Sequence, residues 1–237
     1  MGTRVDGRND DELRPVKVSK DFIKYPEGSV LFEQGNTKVL CNVTVEEDVP
    51  HWMKNSGRGW VTAEYAMLPR ATHTRNRRER NYTSSRNVEL SRLIGRALRP
   101  VVDMDALGPV TIRIDCDVIQ ADGGTRCASI TGAYIALKLA ERWMLEKGVI
   151  QAPIILHQVA AISVGVLNGV SLLDLKYEED KDVGVDMNVI MTDTMEIIEI
   201  QGTAEHKPIN RIKLVELLDL AEKGLKELFE FQQATLK

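Results

Sequence analysis

Two tight turns, each lying between apolar runs, constrain the fold of this sequence most. The runs and their turns are 29–34, Gly35-Asn36 and 37–45, and then 159–167, Asn168-Gly169 and 170–175. Asn-Gly between apolar runs is the strongest short hairpin signal, because both residues accept a positive φ. The sequence therefore predicts a β-hairpin in each half of the chain.

The same order of elements follows each hairpin. An acidic stretch comes first, at 46–48 or 178–180, then an apolar strand near 59–68 or 184–191, and then a helix. This repetition predicts a duplicated α+β unit with helices packed on mixed sheets. We expect an N-terminal half at 1–147 and a C-terminal half at 148–237, joined in one compact unit.

Apolar residues at helical spacing predict three helices, at 88–98, 126–147 and 210–233. In the first helix the apolar face comprises Leu90, Leu93, Ile94, Ala97 and Leu98. In the last helix it comprises Leu214, Leu217, Leu218, Ala221 and Leu225. Arginines lie opposite the apolar face of the first helix, so that helix is predicted to be amphipathic.

Arginine is concentrated in one segment, although the net charge of the 237 residues is −4. Nine arginines lie between positions 70 and 99, with no lysine among them: Arg70, Arg75, Arg77, Arg78, Arg80, Arg86, Arg92, Arg96 and Arg99. This asymmetry indicates an anionic partner on one face. A solvated arginine-rich surface explains the run equally well when it is considered alone.

The remaining composition argues against several classes of protein. The first residues are polar and charged, so no signal peptide is expected, and apolar runs such as 159–167 are too short to cross a membrane. Cys41, Cys116 and Cys127 have no zinc-ligand spacing, and three cysteines do not form a disulfide framework. We expect a cytoplasmic protein with reduced thiols, Cys41 and Cys116 being in the core.

A predicted strand at 111–120 runs through Ala121-Asp-Gly-Gly-Thr-Arg126 into a helix. The glycines allow a sharp turn, and the first amides of a helix attract an anion. Arg126 in the first turn opposes the helix dipole by about 0.3–1 kcal/mol, and Arg86 does the same in another helix. A bound phosphate would offset the unfavourable position of both arginines. The two glycines taken alone need no ligand, because a simple tight turn explains them equally well.

Carboxylates cluster in the second half, at Asp180, Asp182 and Asp186. Alternation along 185–191 places Asp186 and Asn188 on the same face of a strand. Oxygen ligands of this kind suit Mg²⁺, which bridges to substrate phosphate. By pattern alone, a sheet with one solvated polar face is the stronger interpretation.

Several motifs together resemble the ribonuclease PH family of phosphorolytic exoribonucleases, which includes polynucleotide phosphorylase and exosome ring subunits. They are Asp6-Gly-Arg, Asp11-Glu-Leu-Arg-Pro, Gly59-Trp-Val-Thr-Ala-Glu-Tyr, Met67-Leu-Pro-Arg-Ala-Thr, Arg92-Leu-Ile-Gly-Arg-Ala-Leu-Arg, Ile114-Asp-Cys-Asp-Val-Ile-Gln-Ala-Asp-Gly-Gly-Thr-Arg and Gln201-Gly-Thr-Ala-Glu. The resemblance runs from about residue 4 to the end. The string from Ile114 to Arg126 is far more specific than a lone glycine motif.

The resemblance implies a duplicated fold with a left-handed βαβ crossover and a homohexameric ring, a trimer of dimers. It implies an exoribonuclease that works 3′→5′, in which inorganic phosphate is the co-substrate and nucleoside diphosphates are released. The RNA would be tRNA precursors with 3′ extensions, and nucleotide addition would be the reverse reaction. Mg²⁺ or Mn²⁺ would be the cofactor.

The resemblance also assigns roles to residues. It places phosphate binding at Arg86, Gly124, Thr125 and Arg126, and metal binding and catalysis at Asp180 and Asp186. RNA binding is expected at Arg70, Arg75, Arg77, Arg78, Arg80 and Arg92. His73 is interpreted as a backbone contact or surface residue, not a catalyst.

Three departures from the family pattern are Ser85, Cys127 and the run Asp193-Thr194-Met195. The run puts the shape of its loop, and any RNA contact there, in doubt. Three alternative functions remain: a non-catalytic RNA-binding ring subunit, a hydrolytic nuclease, and a phosphate-binding enzyme such as a kinase. The kinase alternative lacks a Gly-x₄-Gly-Lys-Ser/Thr loop.

Overall fold

The computed structural model describes residues 4–77, 85–205 and 207–237, and these form nine strands and five α-helices. The strands are β1 Val16–Lys20, β2 Gly28–Gln34, β3 Thr37–Glu46, β4 Trp60–Met67, β5 Thr111–Gln120, β6 Val159–Leu167, β7 Val170–Leu173, β8 Val185–Thr192 and β9 Ile197–Ala204. The helices are α1 Ser85–Leu98, α2 Met104–Leu107, α3 Thr125–Lys147, α4 Tyr177–Asp180 and α5 Arg211–Leu236.

The first sheet has the strand order β1-β2-β3-β5-β4. Strands β2 and β3 form the predicted hairpin, in which Gly35 has a φ of 58°. Strands β4 and β5 pair in parallel, and α1 lies between them in the sequence, so this half contains a βαβ unit. The handedness of that crossover stays a prediction.

The second sheet has the order β7-β6-β8-β9, and its described strands pair antiparallel throughout. The predicted hairpin of β6 and β7 is confirmed, with φ of 52° at Asn168 and 85° at Gly169. The predicted class, α+β with helices on mixed sheets, is confirmed. The division of the chain at 147/148 stays a prediction.

Helix α3 contacts both sheets, packing against β2 and β3 on one side and β6 on the other. It is apolar around most of its circumference, which suits a helix buried between layers. A Cβ atom at Gly132 would lie 2.8 Å from the Cβ of Phe32, so glycine allows this close approach. Helix α3 thus packs closely on the first sheet while it also contacts β6 of the second.

The predicted helices are confirmed with small changes at their ends. The five apolar residues predicted for α1 are all buried. In α5, Leu217, Ala221 and Leu225 are buried, but Leu218 is only partly buried and Leu214 is exposed, so the predicted stripe was too long at its N-terminal end. All three cysteines are buried and free, as expected for Cys41 and Cys116.

The sequence did not predict β1, β9, α2 or α4. The acidic stretch at 178–180 was given no secondary structure, and it lies in the short helix α4, of which Asp180 is the last residue. Within the described ranges, no helix combines the length and apolar character that a membrane-spanning segment needs.

Candidate active site

A cavity of about 490 Å³ opens where the start of α3 faces α4 and β8. The cavity is lined by all six residues for which phosphate or metal binding was predicted: Arg86, Gly124, Thr125, Arg126, Asp180 and Asp186. These residues come from both halves of the chain, and the packing of the two sheets brings them together. The cavity is therefore the candidate active site.

The turn between β5 and α3 forms one wall. Gly123 has a φ of 79° and Gly124 a φ of 66°, a conformation that glycine adopts without strain. A Cβ atom at Gly123 would lie 2.6 Å from the carbonyl oxygen of Leu175, so the turn lies directly against the chain that leads into α4. Thr37 Oγ1 donates to the Gly123 carbonyl at 2.7 Å.

The first two residues of α3, Thr125 and Arg126, line this cavity, so the N-terminus of the helix lies at its wall. Thr125 Oγ1 lies 2.9 Å from the hydroxyl of buried Tyr65. Arg126 Nη1 donates to Gln201 Oε1 at 2.9 Å. Arg86 reaches the same cavity from the first turn of α1. Two arginines and a helix N-terminus therefore make this end of the cavity suited to an anion.

The carboxyl groups of Asp180 and Asp186 face the positive groups. Burial raises the pKa of both, and the charge of Asp180 raises the pKa of Asp186 further, while Arg126 lowers both. Asn188 is buried beside Asp186 and accepts a hydrogen bond from Cys127 Sγ at 3.1 Å. The alternative of a solvated polar face does not fit these residues. Asp182 is exposed and does not line the cavity.

The N-terminal segment holds two walls of the cavity through buried ion pairs. Arg4 Nε and Nη2 donate to both oxygens of Glu179, at 2.7 and 2.5 Å, next to Asp180. Arg14 binds both oxygens of Asp174, at 3.0 and 2.7 Å, and its Nη1 donates to the Asp122 carbonyl at 2.5 Å. Charge-assisted bidentate pairs fix geometry well.

Of the predicted RNA-binding arginines, the four that the structure describes, Arg70, Arg75, Arg77 and Arg92, are exposed and lie outside the cavity. Arg75 and Arg77 alternate with Thr74 and Asn76, which do line it, and Arg70 borders an adjoining depression. Arg92 lies in a different groove, with Tyr65 and Arg99. Arg78 and Arg80 fall outside the described residues.

Several cavity residues were not predicted to belong to the site. His73, expected to be a backbone contact or surface residue, lines the cavity together with Tyr177. Their ring centroids lie 5.8 Å apart with the planes tilted by 42°. Tyr177 precedes Asp180 by three residues, a helical spacing that could have indicated a shared face. Gln201 lies outside the cavity but contacts Arg126, and it is opposite Asn188 in the register of β8 and β9, a pairing that no local pattern shows.

The sequence profiles of two domains match the chain in succession. Domain 1 of the 3′ exoribonuclease family matches residues 12–142, and domain 2 of the same family matches residues 157–224. The chain belongs to the 3′ exoribonuclease family. Together the two matches span most of the sequence and both sides of the cavity.

Curated relatives place the chain within the ribonuclease PH branch of the 3′ exoribonuclease family. Ribonuclease PH of Bifidobacterium longum is 56% identical over 98% of this chain and 96% of its own length. Ribonuclease PH of Corynebacterium efficiens is 54% identical over 99% and 96%. The predicted family and its activity, phosphorolytic 3′→5′ exoribonuclease, are confirmed, and the non-catalytic alternative is not favoured.

Two solved structures share the fold of this chain. Rice Rrp46 superimposes with a TM-score of 0.79 at 19% identity, over 99% of this chain and 100% of its own. The Archaeoglobus fulgidus exosome with RNA bound to the active site gives a TM-score of 0.82 at 22% identity, over 96% and 91%.

The three departures from the family pattern lie at different distances from the cavity. Asp193, Thr194 and Met195 form the turn that follows β8. Asp186 lies near the other end of β8, about 20 Å away along the strand. This turn is therefore remote from the cavity. Ser85 begins α1, and Cys127 packs under the cavity against Asn188.

Proposed function

We propose that this protein shortens tRNA precursors from their 3′ ends by phosphorolysis in the cavity between α3, α4 and β8. The observation that carries this proposal is the meeting, in one cavity, of two arginines and a helix N-terminus with two carboxylates. The first group suits a free phosphate, and the second suits a cation that screens the RNA phosphate.

Orthophosphate would lie at the start of α3. Arg86 and Arg126 supply guanidinium donors, Thr125 supplies a hydroxyl, and Gly124 lets the backbone amides approach closely. An oxygen of the bound phosphate attacks the phosphorus of the terminal phosphodiester. The bond from that phosphorus to the 3′-oxygen of the preceding nucleotide breaks, so the last nucleotide leaves as a diphosphate and the RNA keeps a 3′-hydroxyl.

Asp180 and Asp186 would hold Mg²⁺ or Mn²⁺. The described residues contain no group of three or more acidic, histidine or cysteine ligands, so the cation would complete its shell with water and phosphate oxygen, as Mg²⁺ commonly does. When bound, the cation supplies positive charge beside the transferred phosphoryl group. One of the two carboxylates would relay the proton of the attacking hydrogen phosphate to the departing 3′-oxygen, so that the RNA leaves with a 3′-hydroxyl and the carboxylate ends ionised.

The terminal nucleoside would occupy the remaining end of the cavity. Met67, His73 and Tyr177 line it there, and Tyr177 is 47% exposed and available to a base. Aromatic rings stack on every base, which suits an enzyme that removes nucleotides without reading sequence. The exposed Arg70, Arg75 and Arg77 would follow the RNA backbone away from the cavity, with Arg78 and Arg80 in the same segment.

We further propose that the chain works in the cytoplasm as a homohexameric ring. Exposed apolar side chains on the edge strand β9 and the start of α5 support an association of chains: Ile197, Ile200, Ile212 and Val215. A closed ring would bury such surfaces and bring several RNA-binding segments together.

Incubation of the protein with a 3′-extended tRNA, with and without phosphate, tests the reaction. Nucleoside diphosphates that form only with phosphate support the proposal. Monophosphates formed without phosphate would mean hydrolysis, and the absence of products would mean a binding subunit.

A further inference from the structure

The side chain of Arg126 is held from outside the cavity by Gln201 of β9. Arg126 Nη1 donates to Gln201 Oε1 at 2.9 Å, and both residues are partly buried. Among hydrogen bonds between described residues, this is the one that fixes the guanidinium group. An arginine has many rotamers, so an acceptor at this point decides the direction in which the remaining donors point.

A second contact fixes the orientation of the Gln201 carboxamide. Gln201 Nε2 donates to Glu199 Oε1 at 3.1 Å, and that oxygen also accepts from Arg96 Nη2 at 2.8 Å. An ionised carboxylate can only accept, so it selects the amide nitrogen and turns Oε1 toward Arg126. If the amide were reversed, its NH₂ group would face the guanidinium group of Arg126, and two donors would oppose each other. A relay thus runs from Arg96 on α1, through Glu199 and Gln201, to Arg126 on α3.

The side chain of Gln201 is uncharged, and this matters for anion binding as much as its position does. A carboxylate at this point would pair with Arg126 and compete with an anionic ligand for the same cation. The nearest acid in the relay, Glu199, is engaged by Arg96 instead. Gln201 therefore holds the guanidinium group while leaving its charge available to the cavity.

We infer that Gln201 is a positioning residue that orients Arg126 toward orthophosphate, and that the Glu199–Arg96 ion pair sets its amide. This inference rests on the proposed function. A residue of β9, an edge strand of the second half, would thereby control the phosphate site at the start of α3.

Two nearly isosteric variants of the full chain test the inference by initial rates of phosphorolysis of a 3′-extended tRNA. Phosphate is varied at saturating RNA, and RNA at saturating phosphate. Gln201→Met removes the acceptor and should raise the KM for phosphate about tenfold, the value of one hydrogen bond to a charged group. Gln201→Glu keeps an acceptor but adds a competing charge, so it should raise the KM for phosphate more than Gln201→Met does. In both variants the KM for RNA should stay within about twofold of wild type.

Gln233→Glu on the exposed side of α5 is the matched control for the charge change, and its KM for phosphate should equal that of wild type. Thermal unfolding of each variant accompanies the rates. If Gln201→Met does not fold, the comparison of Gln201→Glu with Gln233→Glu decides alone. An unchanged KM for phosphate, or equal rises in the KM for phosphate and for RNA, overturns the inference. A wild-type enzyme that needs no phosphate overturns the proposed function instead.

Discussion

At the scale of single residues, the cavity sets two carboxyl groups against two guanidinium groups without making direct ion pairs between them. Asp180 and Asp186 respond to Arg126 only as neighbouring charges, and burial still raises the pKa of each carboxyl. Folding thus leaves both sides of the cavity with charge to offer to a ligand.

Asp180→Asn should lower the rate of phosphorolysis by at least about 100-fold. It removes a ligand of the cation that stabilises negative charge on the transferred phosphoryl group. RNA binding should survive, and the rise in melting temperature that Mg²⁺ produces in wild type should disappear. Asp182→Asn is the control, since its carboxylate is exposed and outside the cavity. Full activity in Asp180→Asn would refute the metal assignment.

The pH dependence of that Mg²⁺ effect follows from the raised pKa values of Asp180 and Asp186. Folding favours the protonated form of each carboxyl, so this contribution to stability is full below the ordinary carboxyl pKa and lost as pH rises through the folded-state pKa. Mg²⁺ needs the ionised form, so its stabilising effect should increase over the same rise in pH. Calorimetric melts at several pH values, with and without Mg²⁺, measure this. A Mg²⁺ effect that is largest at acid pH would contradict the assignment.

Tyr177→Ala should raise the KM for RNA about tenfold and leave the KM for phosphate unchanged, because stacking of one base contributes roughly 1–3 kcal/mol. Tyr25→Ala is the control, as Tyr25 is an aromatic residue 85% exposed on the β1–β2 connection. Steady-state rates with each substrate varied in turn distinguish the two constants. Equal effects of the two variants would show that Tyr177 contacts no base.

At the scale of secondary-structure elements, long-range ion pairs fix the parts of the site that local sequence does not. Helix α4 is a single turn, too short to be stable alone. Arg4 anchors it through Glu179, which lies 175 residues away in the sequence. Burial would raise the pKa of the Glu179 carboxyl, but the hydrogen bonds from Arg4 and from the Lys176 amide outweigh burial and lower it.

Glu179→Gln should reduce the free energy of unfolding by about 3–5 kcal/mol at neutral pH, because it leaves Arg4 as an unpaired buried charge. The folded-state pKa of Glu179 is lowered, so its stabilisation is present above the ordinary glutamate pKa and lost as pH falls through the folded value. The difference from wild type should therefore shrink in acid. Urea unfolding at neutral and acid pH measures both values. Glu178→Gln, an exposed neighbour, should change stability little.

This division between local and long-range interactions explains what the sequence could predict. The hairpins, α1, α3 and the glycine turn follow from periodicity and turn chemistry within short windows. Strand β9 has no clear alternation, because it is an edge strand with exposed residues on both faces. The contacts of Gln201 with Arg126 and of Arg14 with Asp174 depend on register and packing across the whole chain. Neither could be read from residue spacing.

At the scale of the whole molecule, the proposed ring predicts the mass of the particle in solution. Sedimentation equilibrium of the purified chain should give a particle of about six chain masses, since a closed ring made of dimers satisfies every equivalent interface. Replacement of Ile212, which is 78% exposed at the start of α5, by Ala should leave the fold intact. A monomer at micromolar concentration would contradict the ring.

Charge is also distributed unevenly over the whole molecule. The chain is acidic overall, with a net charge of −4, so unspecific attraction to RNA is weak and binding must depend on local basic segments. Arg75 and Arg77 are both exposed beside the cavity. If both contact RNA phosphates, binding releases counterions at each phosphate and becomes dependent on salt.

The double variant Arg75→Gln and Arg77→Gln should therefore reduce the slope of log affinity against log salt by about 0.7 for each phosphate of single-stranded RNA that is no longer neutralised. Fluorescence anisotropy of a labelled 3′-extended tRNA over a salt series gives the slope. The KM for phosphate should not change, since neither arginine lines the cavity. Arg58→Gln is the control, because Arg58 pairs with Asp105 in a different part of the chain and should leave the slope unaltered. Weaker binding with an unchanged slope would mean that Arg75 and Arg77 act on the shape of their segment and do not touch phosphate.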